Sequence, residues 1–104
     1  MALRAPQNLA TLVNPKTGLS MVEAEIQAET AASLGHHGRK LETALAAFSA
    51  AADDERAALR KRAARAAWEY FIQRELMGMR DHRLIIREMQ IPQEVLNLMG
   101  AVGR

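Results

Sequence analysis

Five polar residues could form a site if the chain folds as a helical hairpin. When two antiparallel helices turn near Asp53, residues whose numbers sum to about 105 lie side by side, which groups Thr30, Ser33, His37, Tyr70 and Arg74. Arg, Tyr and Ser side chains donate hydrogen bonds to oxyanions, so one interpretation is a site for a small anion at Arg74. The other is a buried polar layer that sets the helix register, as in coiled coils. We favour the layer, because buried polar groups are usually hydrogen-bonded to one another.

Arg80, Arg83 and Arg87 form a second candidate site, because their i, i+3 and i+7 spacing places them on one helical face. Such a face could contact the phosphates of a nucleic acid. The helix expected after Pro92 carries no lysine or arginine to meet DNA, so nucleic-acid binding remains an alternative function. Five other basic residues scatter around the helical wheel and predict a solvated surface: Arg56, Arg60, Lys61, Arg62 and Arg65.

Enzymatic and metal-binding motifs are missing from the sequence. Di-iron bundles need a Glu-x-x-His pair on each of two helices, and no mid-chain glutamate has histidine three residues later. His36 and His37 are adjacent, so on a helix they point about 100° apart and do not share a metal. There is no cysteine, no phosphate-binding loop and no nucleophile motif. We expect no enzyme activity, no metal and no cofactor.

The composition predicts one small protein domain outside the membrane. The chain has 104 residues, a formal net charge of +2 and no apolar run long enough for a membrane span. Residues 1–18 lack the apolar core and the cleavage site of a signal peptide, so we expect a flexible tail there. Residues 19–104 would then form a single helical domain, which we expect in the bacterial cytoplasm.

A long proline-free run predicts an all-α fold. Proline is absent from residues 16–91, and proline is the residue that most strongly breaks helices. Ser20 followed by Glu23 is a capping box, which predicts the start of the first helix. Apolar residues then keep a helical period through Gly35 and Gly38, so we expect this helix to end near Ala51.

The second helix should begin with Asp53 or Asp54 as its N-cap and end or bend at Gly78. The alternative is that it continues through Gly78, because Ile72, Met79 and Ile86 keep a seven-residue spacing. Its first half has one apolar stripe, but its second half has an additional apolar face. Because a helix that is apolar on both sides needs two partners, that face could pair two chains as a homodimer: Trp68, Phe71, Ile72, Leu76 and Met79. The alternative is that C-terminal helices fold back and cover it within one chain.

Two short helices should close the chain. Asp81 can cap a helix that runs through Met89. Pro92 suits the first turn of a final helix that ends near Met99, with Gly100 as its stop signal. The predicted architecture is thus a long antiparallel helical hairpin with short C-terminal helices.

Several short segments resemble a family of small uncharacterised bacterial helical proteins, a domain of unknown function. They are Leu34-Gly35, Gly38-Arg39-Lys40-Leu41-Glu42, Gln73-Arg74-Glu75, Arg80-Asp81-His82-Arg83 and Ile91-Pro92-Gln93-Glu94-Val95-Leu96. The resemblance covers most of the chain after residue 19 and implies a helical domain without a known activity. We therefore expect a homo-oligomeric or partner-binding helical module, with no membrane partner.

Overall fold

A computed structural model describes residues 20–102, which form four α-helices. They are α1 (Met21–Ser49), α2 (Asp53–Leu76), α3 (Arg83–Glu88) and α4 (Gln93–Val102). The described residues contain no strand, and the two long helices pack together, so the all-α hairpin with short C-terminal helices is confirmed. The predicted tail, residues 1–18, lies outside the described residues. The described residues divide into two units, one that ends at Ala32 and one that begins at Ser33, and the core belongs to the second.

The start of α1 agrees with its capping signal. Ser20 Oγ accepts a hydrogen bond from the backbone N–H of Glu23 at 3.1 Å, which satisfies one of the free N–H groups of the first turn. The Glu23 carboxylate in turn accepts a hydrogen bond from the Ser20 hydroxyl at 3.4 Å. The local sequence thus determines where this helix begins.

The core is built around small residues of α2. Four alanines there are buried, together with Tyr70 and Phe71, and methyl side chains let a neighbouring helix approach closely. From α1, Leu41, Ala44 and Phe48 pack into the same cluster. Full burial of a leucine side chain such as Leu41 contributes about 2–3 kcal/mol.

The C-terminal helices complete this core. Helix α4 packs against α2, and Val95 is fully buried there, with Ile91 nearly so. Partly buried residues of α3 and its flanks, including Ile85 and Ile86, pack on the same cluster. The alternative in which the C-terminal segment folds back onto α2 is therefore realised for part of the apolar face.

Helix ends differ from the sequence prediction in small ways. The N-cap of α2 is Ala52, without a side-chain cap, and the carboxylates of Asp53 and Asp54 lie inside the first turn instead. There they favour the positive end of the helix dipole. Helix α4 continues through Gly100 to Val102, so glycine does not stop it.

The ends of α2 and α3 share one backbone motif. At α2, Met79 N–H donates to the Arg74 carbonyl and Gly78 N–H donates to the Glu75 carbonyl, both at 3.0 Å. This is a Schellman motif, in which the residue after the helix adopts a left-handed conformation. Gly78 has φ 88°, which glycine adopts without strain.

At α3 the same motif is made without glycine. Ile91 N–H donates to the Ile86 carbonyl at 3.0 Å, and Gln90 N–H donates to the Arg87 carbonyl at 3.2 Å. Gln90 has φ 55° and is the one non-glycine residue with positive φ among those described. The burial of Ile91 holds this strained turn in place.

Candidate functional site

Arg74 binds the turn that follows α2. Its Nε donates to Nδ1 of His82 at 3.0 Å, and its Nη2 donates to the backbone carbonyl of Asp81 at 3.2 Å. The guanidinium carbon lies 6.0 Å from the centroid of the Tyr70 ring, one turn earlier. Nε and Nη2 of Arg74 therefore hold the chain between α2 and α3.

His82 is fixed on three sides. Its ring stacks on Phe71 with the centroids 4.3 Å apart and the planes 5° from parallel. Its Nε2 lies 3.0 Å from Oε2 of Glu75. Because arginine can only donate, Nδ1 accepts from Arg74, and Nε2 carries the proton that is donated to Glu75. In this arrangement the imidazole links Arg74 to Glu75.

Thr30 and His37 of the predicted polar layer differ in their hydrogen bonding. The Thr30 hydroxyl donates to the Ile26 carbonyl of its own helix at 2.8 Å. His37 Nδ1 is buried without a hydrogen-bond partner. Among the described residues of the second unit, no hydrogen bond joins any two of Ser33, His37, Tyr70 and Arg74. Whether these residues form a functional layer or an anion site remains a prediction.

The register of the hairpin explains part of this difference. Lys40 lies opposite Glu69, with Nζ 3.5 Å from Oε1. Tyr70 packs on Gly38, where an added Cβ would lie 3.3 Å from a ring carbon. The expected sum of about 105 had placed Tyr70 opposite residues 35 and 36. The helices are therefore shifted by about one turn relative to the sequence prediction.

The three arginines of the second candidate site are not all on one helix. Arg80 lies in the turn before α3, whereas Arg83 and Arg87 lie on it. Arg83 Nη2 is 2.7 Å from Oδ2 of Asp81, and the Arg83 backbone N–H also donates to Asp81. The side-chain hydrogen bond from Arg83 holds the pKa of Asp81 well below its usual value, and it raises the pKa of Arg83. One of the three charges is thus compensated, and phosphate binding here remains a prediction.

The predicted dimer face is partly covered within the chain. Phe71 is buried, and Trp68 and Met79 are half-buried. Ile72 and Leu76, one turn apart on α2, keep 38% and 72% of their surface exposed. We refer to Trp68, Ile72 and Leu76 as the apolar stripe, since they follow each other at i, i+4 and i+8.

The structure also forms a basic groove between α1 and α2 that the sequence analysis did not predict. Its cavity has a volume of about 580 Å³ and lies among residues of the second unit. Basic side chains from both helices line it, and alanines form much of the remaining wall. The lining residues are His36, Arg39, Lys40, Thr43, Ala44, Ala47, Arg62, Arg65, Ala66 and Glu69.

This basic groove depends on which helix faces meet. On the helical wheel of α2 alone, Arg62 and Arg65 are two of five scattered basic residues. Only the pairing of α2 with α1 brings them to the same cavity as Arg39 and Lys40. The i, i+3 spacing of Arg62 and Arg65 did indicate that they share a face of α2. Which residues of α1 lie opposite them could be known only from the observed register.

A second cavity contains an ion pair that joins α2 to α4. It has a volume of about 560 Å³ and is lined by Phe48, Arg56 and Glu94 among others. Arg56 Nη2 lies 2.7 Å from Oε2 of Glu94, and Arg60 Nη1 lies 3.4 Å from Oε1. The Arg56 guanidinium also covers the Phe48 ring at 4.3 Å. Because these charges bind each other, the cavity serves packing better than ligand binding.

The part of the chain that the structure describes has neither a cluster of metal ligands nor a helix suited to a membrane. Residues 20–102 contain no group of three or more histidine and carboxylate side chains placed to hold a metal ion. None of the four described helices is both long and apolar enough to cross a membrane. The expected cytoplasmic location stays a prediction.

Comparison with known proteins identifies a family but not an activity. The sequence matches the family of unknown function DUF6665 over residues 1–104. The chain belongs to this family. No curated protein and no solved structure matches it. The resemblance to a small uncharacterised helical domain is confirmed, whereas the DUF6665 assignment leaves substrate, partner and bacterial origin open.

Proposed function

We propose that this protein is a non-enzymatic helical module that self-associates as a homodimer. The observation that carries the proposal is the exposure of Ile72 and Leu76 on one face of α2. Soluble monomers avoid contiguous apolar patches, and two copies related by a two-fold axis would bury this one on both sides. Trp68 extends the apolar stripe by one turn, while Phe71, expected at the same face, is used inside the chain.

Burial of the apolar stripe would contribute to the free energy of dimerisation. Complete burial of an isoleucine or leucine side chain contributes about 1.5–3 kcal/mol. Two copies that each bury the exposed parts of Ile72 and Leu76 would gain about two such contributions in total, against the entropy lost on association. A carboxylate at Ile72 would have to be desolvated in the dimer and should prevent pairing.

Light scattering at about 0.5 M NaCl tests this proposal, since the Debye length there is roughly 4 Å and surface charge contacts are screened. The parent should have twice the chain mass of 11.5 kDa. Ile72→Glu should halve that mass without changing the helical circular dichroism. Ala58→Glu, which adds the same charge at an exposed position of α2, should not. A parent that has the single-chain mass at tens of micromolar would refute the homodimer.

A further inference from the structure

The basic groove carries more positive charge than its own residues compensate. Of its four lysine and arginine side chains, Lys40 lies 3.5 Å from Glu69, the one carboxylate in the lining. Among the described residues, none places a carboxylate within 4.0 Å of Arg39, Arg62 or Arg65. These three side chains are exposed, so a ligand can reach them. The groove is thus suited to an anionic partner.

Its shape and lining select among anionic partners. The lining residues of α1 extend from His36 to Ala47, which at 1.5 Å per residue is about 17 Å of helix. Single-stranded nucleic acids stack their bases on aromatic rings, and the groove lining contains no Phe, Tyr or Trp. Ala44 and Ala66 are already buried in the core, whereas Ala47 is half-buried, and its small side chain leaves room for another helix to approach closely. An amphipathic acidic helix fits these features best.

The chain itself contains such a helix. Residues 21–32, here called the acidic segment, are the first three turns of α1 and contain no lysine or arginine. Val22 and Ile26 lie one turn apart and keep 62% and 57% of their surface exposed. At 100° per residue, glutamates flank this apolar pair on both sides: Glu23 on one side, Glu25 and Glu29 on the other.

We propose that the acidic segment of one copy docks in the basic groove of a second copy. Val22 and Ile26 would contact Ala47 and the aliphatic stems of the basic side chains, and the flanking glutamates would meet the charged ends of those side chains. The proposal rests on the self-association proposed above and adds a salt-sensitive contact to it. In a two-fold arrangement each copy supplies one segment and one groove, so two equivalent contacts form.

Paired charge reversals test this contact in the full-length chain. The groove variant is Arg62→Glu with Arg65→Glu, and the segment variant is Glu25→Lys with Glu29→Lys. All proteins also carry Ile72→Glu, which removes the apolar stripe. Sedimentation at about 0.05 M NaCl, where the Debye length is roughly 14 Å, then measures association through the groove alone. Lys61→Glu is the control, since Lys61 is an exposed neighbour on α2 that does not line the groove.

We expect the Ile72→Glu chain to associate at low salt. Each double reversal should raise its dissociation constant about tenfold or more, because several interfacial charge pairs become repulsive. Combining both reversals in one chain, or mixing the two variants, should restore association, and Lys61→Glu should have little effect.

Three results would overturn the groove contact. They are a single-chain mass for Ile72→Glu at low salt, an unchanged dissociation constant in either double variant, and no recovery when the reversals are combined. The two proposals fail separately. Suppose that the parent has the single-chain mass at high salt, but that the charge reversals weaken and restore association at low salt as expected. Dimerisation through the apolar stripe is then refuted, and the groove contact is supported.

Discussion

The two Schellman motifs predict opposite changes in stability when glycine is introduced at one of them and removed from the other. Gly78 and Gln90 occupy equivalent positions after α2 and α3, with φ 88° and 55°. A side chain in this left-handed conformation costs roughly 1–2 kcal/mol relative to glycine. Glycine in turn raises the entropy of the unfolded chain, which offsets about 0.4–1 kcal/mol. We therefore expect Gln90→Gly to stabilise the fold by about 0.5–1 kcal/mol and Gly78→Ala to destabilise it by a similar amount.

Neither substitution should create a steric clash or remove much packing. A Cβ added at Gly78 would meet no atom within 4 Å, so Gly78→Ala adds backbone strain without a clash. The Gln90 side chain is exposed, and none of the hydrogen bonds among the described residues involves its side-chain amide. Removing it therefore deletes strain and little packing.

Urea unfolding, followed by circular dichroism at the helical band, measures both changes as shifts in the free energy of unfolding. Gln73→Gly provides the control, because Gln73 lies inside α2 and the same substitution in a helix interior should cost about 1 kcal/mol. The reasoning is refuted if Gln90→Gly destabilises as Gln73→Gly does, or if Gly78→Ala leaves the unfolding midpoint unchanged.

Two further predictions concern the turn between α2 and α3. Nitrogen NMR should show His82 in the Nε2–H form, and Arg74→Met should lower the free energy of unfolding by about 1–2 kcal/mol, because His82 Nδ1 loses a charged donor. An unchanged stability with the Nδ1–H form would contradict the hydrogen bond between the two residues. Asp81→Asn should lose the pairing with Arg83, so the parent should be the more stable protein above pH 4. Since the pKa of Asp81 is lowered in the folded chain, this advantage should shrink as the pH falls below 4; a difference that does not depend on pH would contradict it.

Local signals in the sequence located some of the helix boundaries. Ser20 with Glu23 predicted the start of α1, and Gly78 predicted the end of α2, because each supplies a hydrogen bond or a backbone conformation that the boundary needs. Gln90 carried no such signal. Its positive φ is imposed by the packing of Ile91, a tertiary effect that a residue type cannot reveal.

Register was the part that the sequence could not determine. The buried face of α2 consists largely of alanines, at 63, 64, 66 and 67. When one helix is shifted along the other by a turn, the alanines still pack against a similar surface. The apolar pattern of the sequence therefore distinguishes poorly between the possible registers. The fit of the Tyr70 ring to Gly38 decides the register, and with it the side chains that line the basic groove. For this reason the groove appeared only in the structure.

The position of α4 has a consequence for protein synthesis. Ile91 and Val95 are core residues that pack with side chains from α1 and α2, both made earlier by the ribosome. A nascent chain that has emerged only as far as α3 would leave exposed the part of the cluster that Ile91 and Val95 cover in the finished fold. The hydrophobic cluster can close only after α4 has left the exit tunnel, so until then chaperones that bind exposed apolar segments can act on it.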